Sequence, residues 1–256
     1  MTQIPTSADP VRVLHFTDPH LFATADGSLR GRVTHATLEQ VLQHYLESGW
    51  SADHVQVTGD IIQDDTRDAY ARFRETVKPI GLPVYCVPGN HDIAGMMREE
   101  LQDEQFHYCS SLEANNWLIA GIDSSIEGQA AGAIGASEFD RLDGLVNDTD
   151  AANVMVCLHH PPLPVGSRWL DELALKNAGE FLQRITESGK VRLVVFGHVH
   201  QAFDDVYRSV RIVGTPSTCR QFALGSDTFA VDEKPPAYRR IELYADGRID
   251  TEVVWA

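Results

Sequence analysis

The sequence has no run of apolar residues long enough to cross a lipid bilayer. A membrane-spanning helix needs about 20 consecutive apolar residues, and the 256-residue chain contains no such run. Basic residues are also scarce, because 21 Lys and Arg stand against 37 Asp and Glu, for a formal net charge of −16. Such an acidic chain repels the phosphate backbones of DNA and RNA. We therefore expect neither a membrane nor a nucleic acid as a partner.

The N-terminal segment 1–10 contains no Lys or Arg. It therefore lacks the basic part of a secretory signal, and we expect a cytoplasmic protein. Cysteines are few and far apart, and no two of them have the Cys-x-x-Cys spacing of a thiolate metal site. We expect reduced thiols rather than disulfides or metal ligands at these four positions: Cys86, Cys109, Cys157 and Cys219.

Short apolar runs alternate with helical patterns along most of the chain, which predicts an α/β fold. The apolar stripe that follows Thr34, a predicted N-cap, indicates a helix that ends at Gly49. Weaker helical patterns cover residues 66–77, 137–146 and 171–188. The predicted strands are 11–16, 54–58, 84–87, 117–122, 154–158 and 193–196.

The C-terminal part has a different pattern. Runs 238–244 and 248–255 flank an Asp-Gly pair, which is typical of an antiparallel hairpin. Residues 222–237 hold two breaks rich in Gly, Ser and Pro and are predicted to form a surface loop. With no internal repeat or long linker, we expect a single domain over 1–256, with a core at about 11–214 and the loop and hairpin at about 215–256.

Polar residues of the types that bind metals follow five of the predicted strands directly. Ligands bind outside the carboxyl ends of strands in open α/β sheets, so these clusters can converge on one site. Each cluster alone could be an ordinary turn. Together they predict a metal site. The clusters are Asp18-Pro19-His20, Gly59-Asp60, Gly89-Asn90-His91-Asp92, His159-His160 and Gly197-His198-Val199-His200.

Side-chain alternation along an extended chain predicts how these residues point. Asp18 and His20 should share a side, as should His198 and His200. Adjacent histidines should point apart, so only one of residues 159 and 160 should bind a metal ion directly. We assign the remaining histidines to packing or to solvated helix faces: His15, His35, His44, His54 and His107.

The ordered set of clusters resembles the calcineurin-like metallophosphoesterase superfamily. The motifs of that superfamily read Asp-x-His, Gly-Asp, Gly-Asn-His followed by an acid, His before Pro, and Gly-His-x-His. The closer resemblance is to the bacterial class III cyclic nucleotide phosphodiesterases, and it spans nearly the whole chain. It rests on His159-His160-Pro161-Pro162-Leu163-Pro164, Trp169-Leu170-Asp171, Lys176-Asn177-Ala178-Gly179-Glu180 and Gly214-Thr215-Pro216-Ser217-Thr218-Cys219.

The resemblance implies a layered α/β/β/α sandwich whose mixed sheets are flanked by helices, and two metal ions. Asp60 would bridge the ions. The pattern favours His159 over His160 as a metal ligand, and His160 would then contact the metal ligands rather than a metal ion. One ion would be held by Asp18, His20, Asp60 and His200, and the other by Asp60, Asn90, His159 and His198.

The chemistry of this set also follows from its residue types. All donors are nitrogen or oxygen, which suits Fe or Mn, with Zn as an alternative. Two divalent ions, the two carboxylates Asp18 and Asp60, and a bridging hydroxide leave a charge of about +1 that can hold a phosphodiester. The implied reaction is in-line attack of a metal-bound hydroxide on 3′,5′-cyclic AMP, which yields 5′-AMP.

The leaving sugar oxygen needs a proton, and we expect His91 to supply it, oriented by Asp92. A histidine that only packs or binds substrate is the alternative. The segment 214–219 could form a floor beside the metals, Phe222 could stack on a purine or anchor the loop, and Arg220 could meet the anion. The residues expected to contact substrate are His20, Asp60, Asn90, His91 and His200.

Three functions stay open on the sequence. The first is hydrolysis of cyclic AMP. The second is a broader phosphodiesterase or phosphomonoesterase activity on glycerophosphodiesters or nucleotides, because fold and metals do not determine substrate. The third is a non-catalytic scaffold, against which the complete ligand set argues. The resemblance also implies a homodimer.

Overall fold

The computed structural model describes residues 9–256. Residues 1–8 lie outside the described residues, and they include most of the segment 1–10 from which a secretory signal was not expected. The helices are α1 Thr34–Glu47, α2 Arg67–Val77, α3 Ala94–Glu100, α4 Ala136–Asp148, α5 Arg168–Asp171 and α6 Ala178–Glu187, with a 3₁₀ turn at Lys78–Ile80. The strands are β1 Val11–Phe16, β2 Ser28–Leu29, β3 Arg32–Val33, β4 His54–Thr58, β5 Val84–Val87, β6 Phe106–Tyr108, β7 Ser111–Ala114, β8 Trp117–Gly121, β9 Asn153–Cys157, β10 Val191–Phe196, β11 Phe203–Tyr207, β12 Val210–Gly214, β13 Gln221–Phe222, β14 Val231–Asp232, β15 Ala237–Leu243 and β16 Ile249–Trp255.

Two six-stranded mixed sheets form the centre of the structure. The first has the order β16-β15-β1-β4-β5-β6 and the second β11-β12-β10-β9-β8-β7. Each sheet has a parallel interior, and the antiparallel pairs lie toward its edges. Interior parallel strands are buried on both faces, which is why they read as nearly continuous apolar runs in the sequence.

The sheets pack face to face, and helices cover both outer faces. The layers are held by three buried apolar clusters, one between the sheets and one under each helical layer. This arrangement is the α/β/β/α sandwich expected from the sequence. Representative members are Val13, Ile119, Met155, Val195 and Ile241 between the sheets; Leu38, Tyr70 and Phe73 under α1 and α2; and Phe139, Leu142 and Phe181 under α4 and α6.

Most predicted elements are confirmed, and three predicted strands (11–16, 54–58 and 84–87) match to the residue. The C-terminal hairpin is also confirmed, and β15 pairs with β1, which makes the hairpin part of the first sheet. Thr34 is the first helical residue rather than the N-cap, a position that Val33 occupies. The predicted helix 171–188 is wrong over its first part, because α5 ends at Asp171 and α6 begins only at Ala178. Between them, the Asn177 side chain bonds both backbone groups of Ile134.

The predicted surface loop 222–237 contains a small hairpin formed by β13 and β14. No helix among residues 9–256 is long and apolar enough to cross a membrane. All four cysteines are free thiols, as expected, and three of them are buried: Cys86, Cys157 and Cys219.

Candidate dinuclear metal centre

Five chain segments bring the predicted ligands to one place, at the carboxyl ends of β1, β4, β5, β9 and β10. Because these strands are parallel within each sheet, their carboxyl ends lie at the same edge. Asn90 is half-buried, and the other six predicted ligands are at most 6% exposed: Asp18, His20, Asp60, His159, His198 and His200.

The backbone at this edge is in the left-handed region at five non-glycine residues. The φ angles are 53° at Asp18, 48° at His20, 51° at Asp60, 67° at His198 and 49° at His200. Such values are uncommon for residues with a Cβ and concentrate at functional sites. The extended backbone assumed for these residues is therefore absent. Asp18 and His20 nevertheless belong to one group of donors, as predicted, whereas His198 and His200 belong to different groups.

Two glycines allow the segments to approach closely. A Cβ at Gly89 would overlap the carboxylate of Asp60, and a Cβ at Gly197 would overlap the hydroxyl of Thr17 and crowd Asp18. The motif glycines are therefore needed for space, since only hydrogen at these positions lets one ligand-bearing turn lie against another.

The first group of donors contains Asp18, His20 and His200. His200 Nε2 lies 3.2 Å from His20 Nε2 and 3.4 Å from Asp18 Oδ1. One donor atom from each side chain falls within 4.8 Å of the others, close enough to surround a single ion. His200 Nδ1 donates to the carbonyl oxygen of Arg220 at 2.5 Å, which leaves Nε2 facing the group.

The second group contains Asn90, His159 and His198. His159 Nε2 lies 3.2 Å from Asn90 Oδ1 and 3.2 Å from His198 Nδ1. Asp60 lies between the two groups, with Oδ2 3.7 Å from His20 Nε2 and Oδ1 3.4 Å from His159 Nε2. One carboxylate therefore contacts a member of each group.

The adjacent histidines His159 and His160 have different surroundings. His159 contacts the carboxylate of Asp60, whereas His160 Nδ1 lies 2.9 Å from the hydroxyl of Ser124. The two rings are 4.9 Å apart, and both belong to one cluster with His198. The expectation that these side chains point apart was wrong, because the chain bends after β9 instead of staying extended.

Several donors fit metal ions in protonation as well as in position. Burial lowers the pKa values of His20 and His198 to about 3, which keeps both imidazoles neutral. Burial alone would raise the pKa of Asp60, but attraction to His159 outweighs it and holds that pKa well below its usual range. Burial alone would lower the pKa of His159, but attraction to Asp60 outweighs it and raises that pKa to about 9, so His159 would release a proton on binding a metal ion. Neutral imidazoles and an ionised carboxylate are what a metal site requires.

A comparison with protein-family models decides the classification. Residues 11–202 match the model described as calcineurin-like phosphoesterase. This chain belongs to the calcineurin-like phosphoesterase family. The family uses a dinuclear metal centre. The matched range contains all seven predicted ligands of this phosphoesterase.

Curated relatives align with nearly the whole phosphoesterase chain. A Vibrio vulnificus protein is 34% identical over 96% of this chain and 90% of its own. An Escherichia coli K12 protein is 34% identical over 95% and 89%, and a Pseudomonas aeruginosa protein is 32% identical over 97% and 91%. All three relatives are named 3′,5′-cyclic adenosine monophosphate phosphodiesterase CpdA.

Solved structures with low sequence identity share the fold. A dimetal phosphatase from Danio rerio has a TM-score of 0.67 at 17% identity and covers 96% of this chain and 99% of its own. The protein TT1561 of Thermus thermophilus has a TM-score of 0.61 at 14% identity, with 95% and 98% covered. These matches show that the fold is that of the family.

His91 is not oriented by Asp92, as the sequence led us to expect. The Asp92 carboxylate accepts hydrogen bonds from the backbone amides of Gly89 and Ile61 and from the hydroxyl of Tyr70. The Asp92 carboxylate therefore connects the turn that follows β5 with the turn that follows β4. The side chain that contacts His91 is Gln63, whose Nε2 lies 3.2 Å from His91 Nδ1. No sequence signal had singled out Gln63.

A cavity of about 200 Å³ opens beside the two donor groups. The segment 214–219 does not line it, contrary to expectation, because this segment lies behind Asp18, where Ser217 Oγ donates to the Asp18 carbonyl. Arg220 does line the cavity, but its guanidinium pairs with Glu233. The remaining residues that line it include His91, Asn90, Arg30, Trp169, Phe222 and Phe229.

Trp169 belongs to a sequence motif that carried no predicted role, and no sequence pattern pointed to Arg30 or Phe229. Phe222 lies flat against His200, with ring centroids 4.1 Å apart and an interplanar angle of 11°. Phe222 therefore packs on a donor histidine and also lines the cavity, so its stacking on a purine stays a prediction.

Proposed function

We propose that this phosphoesterase hydrolyses 3′,5′-cyclic AMP to 5′-AMP. The names of the curated relatives support this substrate. The observation that carries the proposal is the position of Asp60, whose two carboxylate oxygens each contact a histidine of a different donor group. This arrangement favours two cations bridged by one carboxylate. We also propose that 1–256 is a single domain, since the C-terminal hairpin extends the sheet that contains β1.

The residues assigned to the cations follow the two donor groups. Asp18, His20, Asp60 and His200 would hold one ion, and Asp60, Asn90, His159 and His198 the other. Nitrogen and oxygen donors without a thiolate favour Fe or Mn, with Zn as the alternative. When bound, the ions supply positive charge for the phosphoryl oxygens and lower the pKa of a water that can attack phosphorus.

The cavity provides the contacts for the anionic diester. The five residues assigned to substrate all line it: His20, Asp60, Asn90, His91 and His200. Three of them, His20, Asp60 and His200, are at most 3% exposed, and electrostatic attraction beside such buried groups is stronger than in bulk solvent.

We assign His91 as the general acid. The Gln63 side-chain amide lies at His91 Nδ1, and its oxygen has no other partner among residues 9–256. Turned toward Nδ1, that oxygen accepts a hydrogen bond from the imidazolium form of His91, which carries its second proton on Nε2 and becomes a neutral imidazole when it gives that proton up. His91 is half-buried and lines the cavity, so this proton is available to the leaving 3′ oxygen. Asp92 acts indirectly by holding the turn that carries Asn90 and His91.

A substrate panel tests the function. Turnover of cyclic AMP, bis(p-nitrophenyl) phosphate and p-nitrophenyl phosphate would be measured with metal content determined on the same sample. We expect the highest kcat/KM for cyclic AMP, with 5′-AMP as its only product. Equal or faster hydrolysis of the aryl diester would instead indicate a broad phosphodiesterase, and a metal-loaded protein without turnover would indicate a scaffold.

His91→Ala tests the acid. We expect kcat for cyclic AMP to fall about 10²–10⁴-fold with metal content unchanged, because the sugar alkoxide leaves poorly without a proton. Hydrolysis of the aryl diester should fall much less, since nitrophenolate needs no protonation. His107→Ala is the matched control, because His107 is a half-buried histidine outside the cavity. An equal loss on both substrates would contradict the assignment of His91.

A further inference from the structure

Three aromatic side chains form a cluster beside the metal centre. The ring centroids of Trp169 and Phe222 are 5.1 Å apart, those of Trp169 and Phe229 are 5.3 Å apart, and those of Phe222 and Phe229 are 5.4 Å apart. Each pair meets edge to face, at 67–72°. We name these three residues the aromatic cluster. All of them line the same cavity as Asn90 and His91.

The aromatic cluster is joined directly to the donor groups. Phe222 stacks on the imidazole of His200, a residue assigned to the first ion. A nucleotide whose phosphate lies at the donor groups carries its base on the far side of one ribose ring. Trp169 and Phe229 contact Phe222, with ring centroids 5.1 and 5.4 Å from it, so they line the cavity one ring farther from His200. A base joined to the phosphate through one ribose can reach them there.

Exposure distinguishes the aromatic cluster from an ordinary part of the core. Phe229 is 44% exposed, and Phe222 and Trp169 are only half-buried. The indole Nε1 of Trp169 is buried without a hydrogen-bond partner among residues 9–256. Large apolar rings that stay partly open in a cavity, next to an unpaired donor, are typical of a ligand site rather than of packing.

The segment that carries Phe229 is held in place from several sides. Gln201 Nε2 donates to the carbonyl of Ala223, and the amide of Gly225 donates to the hydroxyl of Ser167. The guanidinium of Arg30 lies 4.7 Å from the centre of the Phe229 ring. The rings are therefore preorganised, so little conformational entropy is lost when a flat ligand binds.

We propose that the aromatic cluster binds the nucleobase of the substrate by stacking, with Phe229 and Trp169 as the residues that favour nucleotides over diesters without a base. This inference rests on the proposed function, since the phosphate must lie at the metal centre. Stacking suits a base because every base presents a π-face, and the larger purine surface gains more from it.

The test compares two ligands that differ only in the base. Binding of 5′-AMP and of ribose 5-phosphate to the metal-loaded protein would be measured by calorimetry. We expect the wild type to bind 5′-AMP at least about tenfold more tightly. Phe229→Leu and Trp169→Leu should each reduce that preference at least about threefold through weaker binding of 5′-AMP, and Phe229→Tyr should retain it. The loss should appear in KM for cyclic AMP more than in kcat.

The matched control is Val206→Ala, which truncates an exposed apolar side chain on β11, outside the cavity, and should leave the preference unchanged. An unchanged preference in both leucine variants would overturn the inference, as would an equal loss for both ligands. The proposed function fails separately if the wild type does not hydrolyse cyclic AMP while the base preference and its loss in the variants persist. Thermal melting would verify that each variant is folded.

Discussion

The Nδ1 atom of His159 donates a hydrogen bond to the carbonyl oxygen of Thr58 across 2.6 Å. Thr58 ends β4, so a strand of one sheet orients a histidine that follows a strand of the other. The bond leaves Nε2 facing Asp60 and Asn90, the arrangement in which a second contact fixes the tautomer of a metal-binding imidazole. The two sheets therefore build the donor groups jointly.

Asp60→Asn should disrupt both donor groups at once. An amide cannot supply the negative charge that the two carboxylate oxygens place beside His20 and His159. We expect bound metal to fall and kcat/KM to drop more than about 100-fold, since even changes behind a ligand cost 10–100-fold. Asp140→Asn, on the exposed face of α4, is the control. Full metal occupancy in Asp60→Asn would show that the Asp60 carboxylate is not shared by two metal ions.

Two glycine substitutions should have opposite effects. Gly89→Ala places a methyl group into the Asp60 carboxylate, so we expect metal affinity to fall at least about tenfold. Gly144→Ala lies within α4 with open space around its Cβ, and it should stabilise the fold by about 0.5–1 kcal/mol. Metal titration and urea unfolding measure the two results. Normal metal binding by Gly89→Ala would contradict the close approach of Gly89 to the Asp60 carboxylate.

His54 should make the fold sensitive to acid. Its ring is 1% exposed, both nitrogens lack a partner among residues 9–256, and burial lowers its pKa to about 4. The unfolded chain, with a pKa near 6.5, therefore binds a proton that the folded chain does not. The associated stability is fully present above pH 6.5 and is lost as the pH falls toward 4, by about 3 kcal/mol at most.

His54→Leu removes this proton uptake. The urea midpoint of the variant should fall less between pH 7 and pH 5 than that of the wild type, and subtracting the two curves cancels the titration of the donor groups. If the two midpoints decline in parallel, His54 is not the residue responsible.

Arg239 should be more important for stability than its neighbour Arg240. Arg239 is 3% exposed, and its guanidinium donates to Thr215 Oγ1 at 3.1 Å and to the Gly214 carbonyl at 2.9 Å. Arg239→Lys cannot reach both acceptors, so we expect a loss of about 1–3 kcal/mol in the free energy of unfolding. Arg240→Lys, which keeps an ion pair with Glu252 at the surface, should cost less than about 1 kcal/mol. Equal losses of unfolding free energy in the two variants would contradict the role of the buried Arg239 guanidinium.

Local pattern was enough to predict much of the fold. Runs such as Trp117–Gly121 and Asn153–Cys157 are buried at every residue, and burial selects the nearly continuous apolar stretches that the sequence displays there. The break between α5 and α6 was missed because it depends on Asn177 bonding to Ile134, a residue 43 positions away. A contact at that separation leaves no periodic signal.

The site divides in the same way. The polar clusters at the strand ends were visible because they interrupt apolar runs, whereas Gln63 and Phe229 were not, since a glutamine and a loop phenylalanine stand out only when a fold brings them beside His91 and Trp169. His198 and His200 were expected to point the same way but belong to different donor groups, because the backbone is left-handed rather than extended at both residues.

The sequence by itself determined most of the central strands, their order along the chain and which strand ends carry metal-binding side chains, because burial and alternation act over a few residues. Only the tertiary structure decided that Asp60 lies between two donor groups, that Gln63 rather than Asp92 contacts His91, and that an aromatic cluster lines the cavity beside them. These relationships join residues up to 180 positions apart, such as His20 and His200, and depend on packing two sheets face to face.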